Sequence, residues 1–454
     1  MVEKNKRYNI EIKDISSDGN GVGTVDGFAV FVPMTAVGDV IEAEITRVKS
    51  KYAEGRALRL LFPSPDRAEP MCRVYEKCGG CNLQHINYDA QIRMKKNAIE
   101  AAFRRIGGFD GFTCDEMLTP ESPFRYRNKC IIQIGKNCSG DPVSGFYANK
   151  THEIIPVKDC LLCNGINGRI SGALLEYMKE INVSAYDEKK KKGVVRRLFI
   201  RNAGATGEIM VVISVNADAL PEQEELIKRL REVSDNIASV YININKDRNS
   251  SLMGRENKLI YGREEIRDTL CGISFAISPD SFYQVNPYMT ERLYGKALEY
   301  AAISGNDNVM DVYCGIGTIS LAAAKAAKHV TGIEIVERAV EDAKRNAENN
   351  GITNVDFYAD SAENAVPKLI ASGEKPDIVI LDPPRKGSDE ATLKAIADAQ
   401  PERIVYVSCN PATLARDAKF LSGYGYAPVK CAGADMFGNT CHVETVCLMS
   451  RKPQ

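Results

Sequence analysis

The residue in this sequence best placed for chemistry is Cys409. Residues Val405 to Leu414 begin with a β-branched run, pass through the polar segment Ser408 to Asn410, and then reach a proline. Such a run is typical of a buried parallel strand that ends near Cys409. Ligands of open α/β sheets bind outside the carboxyl ends of the strands. The thiol of Cys409 is therefore placed to react, although a cysteine taken at random is more often a small core residue.

Acidic residues end the strand-like runs that precede this cysteine. Residues Val309 to Leu321 predict a strand, a glycine turn and a helix, an arrangement in which the backbone can approach a ligand. An acid then follows each of three later strand-like runs: Glu334, Asp360 and Asp382. The series predicts repeated βαβ units in a parallel sheet. Carboxylates at its edge suit ribose hydroxyls and the amine of an amino-acid cofactor.

Four motifs in this part of the chain resemble one enzyme family. Asp311 to Gly317 looks like motif I of S-adenosylmethionine-dependent methyltransferases. With Asp382 to Gly387, Ser408 to Thr413 and His442 to Glu444, it resembles the RNA uracil-C5 methyltransferases, the RumA/TrmA family. One departure is visible, because the family usually carries a Pro-Gln-like pair where this chain has Gly438-Asn439. The resemblance implies that the product is 5-methyluridine in RNA and that S-adenosylmethionine is the methyl donor.

The resemblance also implies roles for individual residues. Cys409 would add to C6 of uracil, which makes C5 able to attack a methyl sulfonium. Glu444 would then remove the C5 proton so that the cysteine can leave. His442 would share a face with Glu444 on a strand from Cys441 to Met449, and is a reserve candidate for the base or for an RNA contact. The implied cofactor contacts are Gln284, Tyr313, Glu334, Asp360 and Asp382.

Cysteines upstream of this region form a second group. Cys72, Cys78 and Cys81 lie close together in sequence, whereas Cys160 and Cys163 lie far downstream. By spacing alone, the pairs Cys78/Cys81 and Cys160/Cys163 suit a tetrahedral zinc site. The resemblance instead implies a [4Fe–4S] cluster held by Cys72, Cys78, Cys81 and Cys160, with Cys163 left over. We favour the cluster, which would tie distant segments together and help to grip RNA, since methyl transfer needs no electron transfer.

The chain as a whole predicts an α/β protein of three domains. Residues 1–62 contain short alternating strands and resemble a TRAM domain, an OB-like RNA-binding β-barrel. Residues 63–270 form a central α/β iron–sulfur and RNA-recognition domain, whose helix near 88–105 packs on the catalytic domain in the family. Residues 271–454 form a doubly wound S-adenosylmethionine-dependent methyltransferase domain.

RNA contacts are predicted outside the catalytic domain. Lys49, Lys51 and Arg56 on the barrel are candidates for phosphate contacts. Ser122 to Lys129 mixes basic and aromatic side chains, as surfaces that stack unpaired bases do. Because tRNA-specific members of the family often lack both the barrel and the cluster cysteines, we expect 23S ribosomal RNA as the substrate. The alternatives are tRNA, cytosine-C5 or exocyclic-amine methylation, and a non-catalytic RNA-binding protein.

Composition sets the remaining bounds. The net charge of −1 over 454 residues excludes a global basic field, so RNA binding must rest on local patches. No stretch approaches the roughly 18 apolar residues of a membrane span. The 14 cysteines without a signal peptide indicate reduced thiols and metal ligands, not disulfides. We expect a cytoplasmic monomer.

Overall fold

The N-terminal strands close into a small barrel. The structure, a computed structural model, describes residues 2–149, 151–247 and 251–451. Alternate residues of the fourth strand, Ile41, Ala43 and Ile45, are buried inside the barrel. The predicted β-barrel is confirmed. Its strands, in the spatial order β1-β2-β3-β5-β4, are β1 (Arg7–Ile15), β2 (Gly21–Val25), β3 (Phe28–Val32), β4 (Val40–Val48) and β5 (Ala53–Phe62).

A long helix links the barrel to the C-terminal sheet, called the catalytic sheet below. Helix α1 (Tyr88–Ala102) begins after Asn87, whose side chain accepts a hydrogen bond from the Ala90 N–H at 2.9 Å. The helix continues into a π-helical turn (Phe103–Gly107) and packs against the last helix of the chain. Strand β6 (Glu116–Leu118) then joins the edge of the catalytic sheet.

The central sheet is buried on both faces. Leu198 and Ile200 pack into a core with two helices on one face, whereas Phe199 and Met210 join the core shared with the catalytic sheet. In spatial order β13-β12-β11-β10-β7-β8-β9, the elements are β7 (Lys129–Lys136), β8 (Pro142–Tyr147), β9 (Ile154–Pro156), α2 (Ile166–Glu180), β10 (Val195–Asn202), β11 (Ile209–Val215), α3 (Gln223–Val233), β12 (Ile237–Ile244) and β13 (Glu256–Gly262).

The C-terminal part is a doubly wound sheet, as predicted. A hairpin of β14 (Ile266–Leu270) and β15 (Ile273–Ile277) and helix α4 (Pro287–Ala301) precede it. The sheet has the order β18-β17-β16-β19-β20-β22-β21-β6. Its elements are β16 (Asn308–Val312), α5 (Thr318–Ala324), β17 (His329–Glu334), α6 (Glu337–Asn349), β18 (Val355–Ala359), α7 (Ala362–Ala371), β19 (Ile378–Leu381), α8 (Glu390–Ala399), β20 (Arg403–Ser408), α9 (Pro411–Ser422), β21 (Tyr426–Ala434) and β22 (Glu444–Arg451).

Strands β16 to β20 run parallel, so their carboxyl ends meet at one edge of the sheet. Strand β22 runs antiparallel to β20, with Ser408 opposite Thr445. Its first residue, Glu444, therefore lies at the same edge as the carboxyl end of β20. The edge gathers the side chains that the sequence placed at strand ends.

The predicted strand from Cys441 to Met449 begins too early. In the structure β22 starts at Glu444. The preceding residues bond to other segments instead of to β20, since the Cys441 N–H donates to Asn82 Oδ1 at 3.0 Å and the Asn439 carbonyl accepts from the N–H groups of Asn82 and Leu83 at 3.1 Å each. His442 is consequently not on the strand, and the alternation argument that gave it a face in common with Glu444 is wrong.

Within the described ranges, no helix is both long enough and apolar enough to cross a lipid bilayer.

Candidate active site

The turn after β16 exposes backbone at the carboxyl edge. Tyr313, Gly315 and Gly317 all have positive φ, at 73°, 57° and 84°. A Cβ at Gly317 would approach the ring of Phe357 to 3.0 Å, so the turn needs glycine there for space as well as for conformation. A Cβ at Gly315 would meet nothing within 4 Å, so that side of the turn is open. The open side leaves room for a ligand to approach the backbone.

Glu334 ties this turn to the next strand. Its carboxylate accepts hydrogen bonds from the Gly315 N–H at 3.1 Å and from the Val336 N–H at 2.9 Å. Tyr313, in the same turn, places its hydroxyl 3.0 Å from Ser388 Oγ. The structure thus brings two of the predicted cofactor contacts to one edge.

Two carboxyl groups lie beneath the edge. Burial raises the pKa of Asp311 to about 7, although the Ser320 hydroxyl donates to it at 2.5 Å. Burial and the negative charge of Asp311 likewise raise the pKa of Asp382 to about 7. Gln284 donates to the Tyr294 hydroxyl at 3.3 Å, and burial followed by the Asp382 charge raises the pKa of that phenol. Gln284, Tyr294 and Asp382 thereby lie on one side of the edge.

Asp360 differs from the other predicted cofactor contacts. Its carboxylate pairs with Lys368 at 3.0 Å and accepts the Ser361 N–H at 2.8 Å. These interactions, Lys368 foremost, lower its pKa. A ligand hydroxyl would have to share this carboxylate with the lysine.

Cys409 lies at the tip of β20, immediately before α9. Asn410 caps that helix, since its Oδ1 accepts from the Ala412 N–H at 3.1 Å, and Pro411 fills the first turn where no N–H is needed. Because Ser408 pairs with Thr445, the next positions in the antiparallel register place Cys409 opposite Glu444. Cys409 is half-buried, and Glu444 is 6% exposed. The two residues that the family resemblance singled out therefore lie at the same end of this strand pair.

Electrostatics join four side chains at this point. Burial, then Glu444 and Asp382, raise the pKa of Cys409 to about 11, and Arg385 opposes the rise. Burial and Asp382 raise the pKa of Glu444 to about 8, again against Arg385. The exposed Arg385 is a functional candidate that sequence reasoning passed over. The sequence feature that could have identified Arg385 is its position inside the Asp382 to Gly387 motif.

His442 lies to one side of this group. Its ring is exposed and stands edge-on to Phe437, with ring centroids 6.0 Å apart. Burial of part of the ring and the charges of Arg385, Lys95 and Arg127 lower its pKa. The imidazole is thus kept neutral at the rim, whereas Glu444 is buried beside Cys409.

The cysteines of the central region surround one cavity of about 420 Å³. Burial raises the pKa of Cys81 to about 12, and hydrogen bonding to Cys163 raises that of Cys160. In the described residues, no three His, Cys, Asp or Glu side chains converge closely enough to hold a metal ion. After burial, the charges of the neighbouring thiols Cys160, Cys78 and Cys72 also raise the pKa of Cys81, so these four cysteines lie near one another. The cysteines that line the cavity are Cys72, Cys78, Cys81, Cys130, Cys160 and Cys163.

Part of the predicted RNA surface is structural. Tyr126 is 9% exposed and its hydroxyl donates to the Gly438 carbonyl at 3.2 Å, so it cannot stack on a base. Arg125 pairs with Asp159 at 2.6 Å and donates to the Cys160 carbonyl at 3.0 Å. The interpretation of Ser122 to Lys129 as a stacking surface is wrong for Tyr126, whereas Arg125 is exposed and pairs with Asp159 at the surface.

The barrel's basic residues are also partly neutralised. Lys49 donates to the Tyr52 hydroxyl at 2.8 Å and lies 3.5 Å from Glu54. Arg56 pairs with Glu44 at 2.9 Å. A phosphate contact at these positions would compete with the barrel's own acids.

Comparison with known proteins decides the family. The model of the tRNA (uracil-5-)-methyltransferase family matches residues 223–452, and the TRAM domain model matches residues 2–58. The chain belongs to this methyltransferase family. Relatives from Clostridium tetani and Halalkalibacterium halodurans, both described as uncharacterized RNA methyltransferases, are 44% and 42% identical. These matches cover 99% of this chain and 97% and 98% of the relatives.

A solved structure extends the similarity. The Pyrococcus abyssi tRNA (uracil-54, C5)-methyltransferase in complex with S-adenosyl-L-homocysteine matches with a TM-score of 0.79 and 30% identity, over 97% of this chain and 100% of the other. The predicted methyltransferase fold, TRAM barrel and family are confirmed. The C-terminal sheet is an S-adenosylmethionine-dependent methyltransferase fold, and RNA is the substrate class of the family.

Proposed function

We propose that this chain transfers a methyl group from S-adenosylmethionine to C5 of a uridine in RNA, with 23S ribosomal RNA as the substrate. The observation that carries the proposal is that Cys409, just after β20, and Glu444, at the start of the neighbouring β22, interact electrostatically with each other and with Asp382 and Arg385. Addition at C6 of uracil needs a thiol, and loss of the C5 proton needs a proton acceptor in the same uracil-binding pocket. A target uridine must be unstacked to reach them.

The first step belongs to Cys409. Its thiolate forms a bond to C6, and the C5=C6 electron pair moves to give an enolate. C5 would then form a bond to the methyl group of S-adenosylmethionine, the S–CH3 bond would break with its electron pair staying on sulfur, and S-adenosylhomocysteine would leave. Arg385 favours the thiolate, because its charge opposes the rise in the pKa of Cys409.

The second step belongs to Glu444. Its carboxylate removes the C5 proton, the C–H electron pair rebuilds C5=C6, and the C6–Sγ bond breaks with its pair returning to Cys409. The pKa of Glu444, about 8, suits a base that must hold the proton briefly near neutral pH. Asp382, at the same edge, would lie between the cofactor and the base.

The cofactor would bind along the carboxyl edge. Tyr313 and Glu334 flank the open glycine turn, and Gln284 approaches from the segment before α4. Asp360 would hold the adenine end, in competition with Lys368. The ligand set is Gln284, Tyr313, Glu334, Asp360 and Asp382.

We also propose that Cys72, Cys78, Cys81 and Cys160 hold a [4Fe–4S] cluster. Four soft thiol donors around one cavity suit a group larger than a single ion. Cys163 is the thiol that the family resemblance leaves over, and it hydrogen-bonds to Cys130 on β7 and to Cys160. The cluster would cross-link distant segments and has no part in methyl transfer.

The RNA substrate has two candidates. The sequence argument for 23S ribosomal RNA rests on the barrel and the cysteines. The P. abyssi tRNA enzyme matches over 97% of this chain, which favours tRNA as the second candidate. An architecture shared to that extent does not by itself separate the two RNAs.

Labelled methyl transfer tests both claims. Purified protein is incubated with radiolabelled S-adenosylmethionine and unmodified 23S or tRNA transcripts, and the nucleosides are identified by mass spectrometry. We expect 5-methyluridine in 23S RNA with the parent chain and none with Cys409→Ala. Label on tRNA alone would overturn 23S ribosomal RNA as the substrate. Formation of 5-methylcytidine would overturn uracil as the target base, and unlabelled RNA would overturn the proposal that the chain is an RNA methyltransferase.

A further inference from the structure

The segment that delivers Glu444 to the active site is held by other parts of the chain. We call residues 435–443 the base loop, since they connect β21 to Glu444 at the start of β22. Helix α1, the cysteine segment and the segment before β7 all bond to it. Strands β20 and β22 do not pair with it, because their ladder ends at Ser408 and Thr445.

A buried ion pair fixes the loop's first residue. Lys95 of α1 is 2% exposed, and its Nζ donates to Asp435 Oδ1 at 2.5 Å and to the Phe437 carbonyl at 3.3 Å. Asp435 is fully buried and also accepts from the Tyr88 hydroxyl at 2.6 Å. A charged pair in so dry a place holds its partners in one geometry, because neither charge can turn to water.

Amide side chains hold the rest of the base loop. Gln91 accepts from the Asn439 N–H at 3.2 Å, and its Nε2 donates to the Leu83 carbonyl at 3.0 Å. Asn82 accepts from the Cys441 N–H at 3.0 Å and donates to Cys441 Sγ at 3.1 Å. Asn82 also donates to the Asp18 carbonyl of the barrel, at 3.2 Å.

Asn82 directly follows Cys81, a thiol of the cysteine cavity. The same peptide stretch therefore lines the cavity and holds the loop that ends at Glu444. Tyr126, which donates to the Gly438 carbonyl, adds a contact from the segment before β7. Movement of the cysteine segment would be passed to the base loop through these bonds.

We propose that Asn82, Gln91 and Lys95 are positioning residues for Glu444, and that they couple the cysteine cavity to the proton-removal step of the reaction. The inference rests on the proposed function, in which Cys409 adds to uracil and Glu444 completes the reaction. Cys409 is delivered by β20 and α9, whereas the side-chain hydrogen bonds described above for these three residues run to the base loop, the cysteine segment and the barrel. Loosening the base loop therefore slows the second step and leaves the first intact.

The test separates the two steps in Asn82→Ala and Gln91→Ala. With a 5-fluorouridine transcript, trapping reports only the first step, because fluorine cannot leave as a proton does. With an ordinary uridine transcript, a slow second step leaves a methylated, SDS-stable adduct on Cys409. Both variants should raise the adduct fraction on ordinary RNA by roughly fivefold or more, with trapping rates within about twofold of the parent chain. Both 23S and tRNA transcripts are used.

A matched control removes a comparable contact elsewhere. Asn354 donates to the Ala324 and Ala327 carbonyls at 2.9 and 3.0 Å, far along the chain from the base loop, so Asn354→Ala should not raise the adduct fraction. Iron content is measured for each variant, and Gln91→Ala, on α1, serves where Asn82→Ala loses iron. An unchanged adduct fraction, or trapping and turnover slowed in equal proportion, would overturn the proposal. Failure of the parent chain to be trapped at all would instead overturn the proposed function.

Discussion

The charge on Glu444 controls the thiol of Cys409, and Glu444→Gln should show this directly. The pKa of Cys409 stands at about 11, against an ordinary 9.0, and Glu444 is the largest cause after burial. Above pH 8 the Glu444 carboxyl is ionised, since its own pKa is about 8. Removing that charge should lower the pKa of Cys409 by roughly one, so the thiolate fraction at pH 9 rises from about 1% to about 10%.

The assay is alkylation of Cys409 by iodoacetamide between pH 7 and pH 11, followed by mass spectrometry of its peptide. We expect about tenfold faster alkylation of Cys409 in Glu444→Gln at pH 9, with the exposed Cys138 as internal reference. Glu299→Gln, which changes an exposed acid paired with Lys296, should leave the rate unchanged. Equal or slower alkylation of Cys409 in Glu444→Gln would refute the electrostatic account of the site.

Three further predictions follow from the contacts described. Lys95→Met should cost about 3–5 kcal/mol in free energy of unfolding, measured by urea denaturation, because it leaves a buried carboxylate unpaired. A loss below about 1 kcal/mol would contradict that. Glu334→Gln should weaken S-adenosylhomocysteine binding about tenfold by calorimetry, since it loosens the glycine turn, and unchanged affinity would argue against the cofactor edge. The free energy of unfolding of Asp311→Asn, relative to that of the parent chain, should rise by about 2–4 kcal/mol between about pH 4 and pH 7. The parent chain loses stability over this range because the raised pKa of Asp311 makes its ionisation costly in the folded state. If the stability of Asp311→Asn relative to the parent chain fell over this pH range, the raised pKa of Asp311 would be contradicted.

Features set by local sequence were predicted well. A β-branched run that ends in a polar turn specifies a buried strand and its tip, which is how Cys409 was placed correctly at the end of β20. Glu334 and Asp382 follow from the same logic, since parallel strands bring their carboxyl ends together. The alternating residues of β4 likewise predicted the barrel.

Features set by long-range contacts were not. The start of β22 depends on whether Cys441 bonds to β20 or to Asn82, and the sequence separates Asn82 from Cys441 by 359 positions. Tyr126 reads as an exposed aromatic, yet its hydroxyl bonds to Gly438. No local pattern reports which of two environments such a residue enters, because burial is decided by the packing of segments remote in sequence.

Arg385 shows a third case. Its position beside Pro384 was visible, but its effect on Cys409 and Glu444 depends on how the loop after β19 lies across the edge. The cysteines are similar, since spacing alone leaves zinc and a cluster open, and only the folded chain brings the distant Cys160 and Cys163 to the cavity that Cys72, Cys78 and Cys81 also line. Sequence motifs identify the candidate residues, whereas the fold determines which charges and thiols interact.

The most direct test of the account is covalent trapping on RNA that contains 5-fluorouridine, in the presence of S-adenosylmethionine. We predict an SDS-stable protein–RNA complex whose cross-linked peptide contains Cys409, and its disappearance in Cys409→Ala. A complex that forms through another residue, or active methylation of uridine without any trapped complex, would contradict the assignment of Cys409 as the nucleophile.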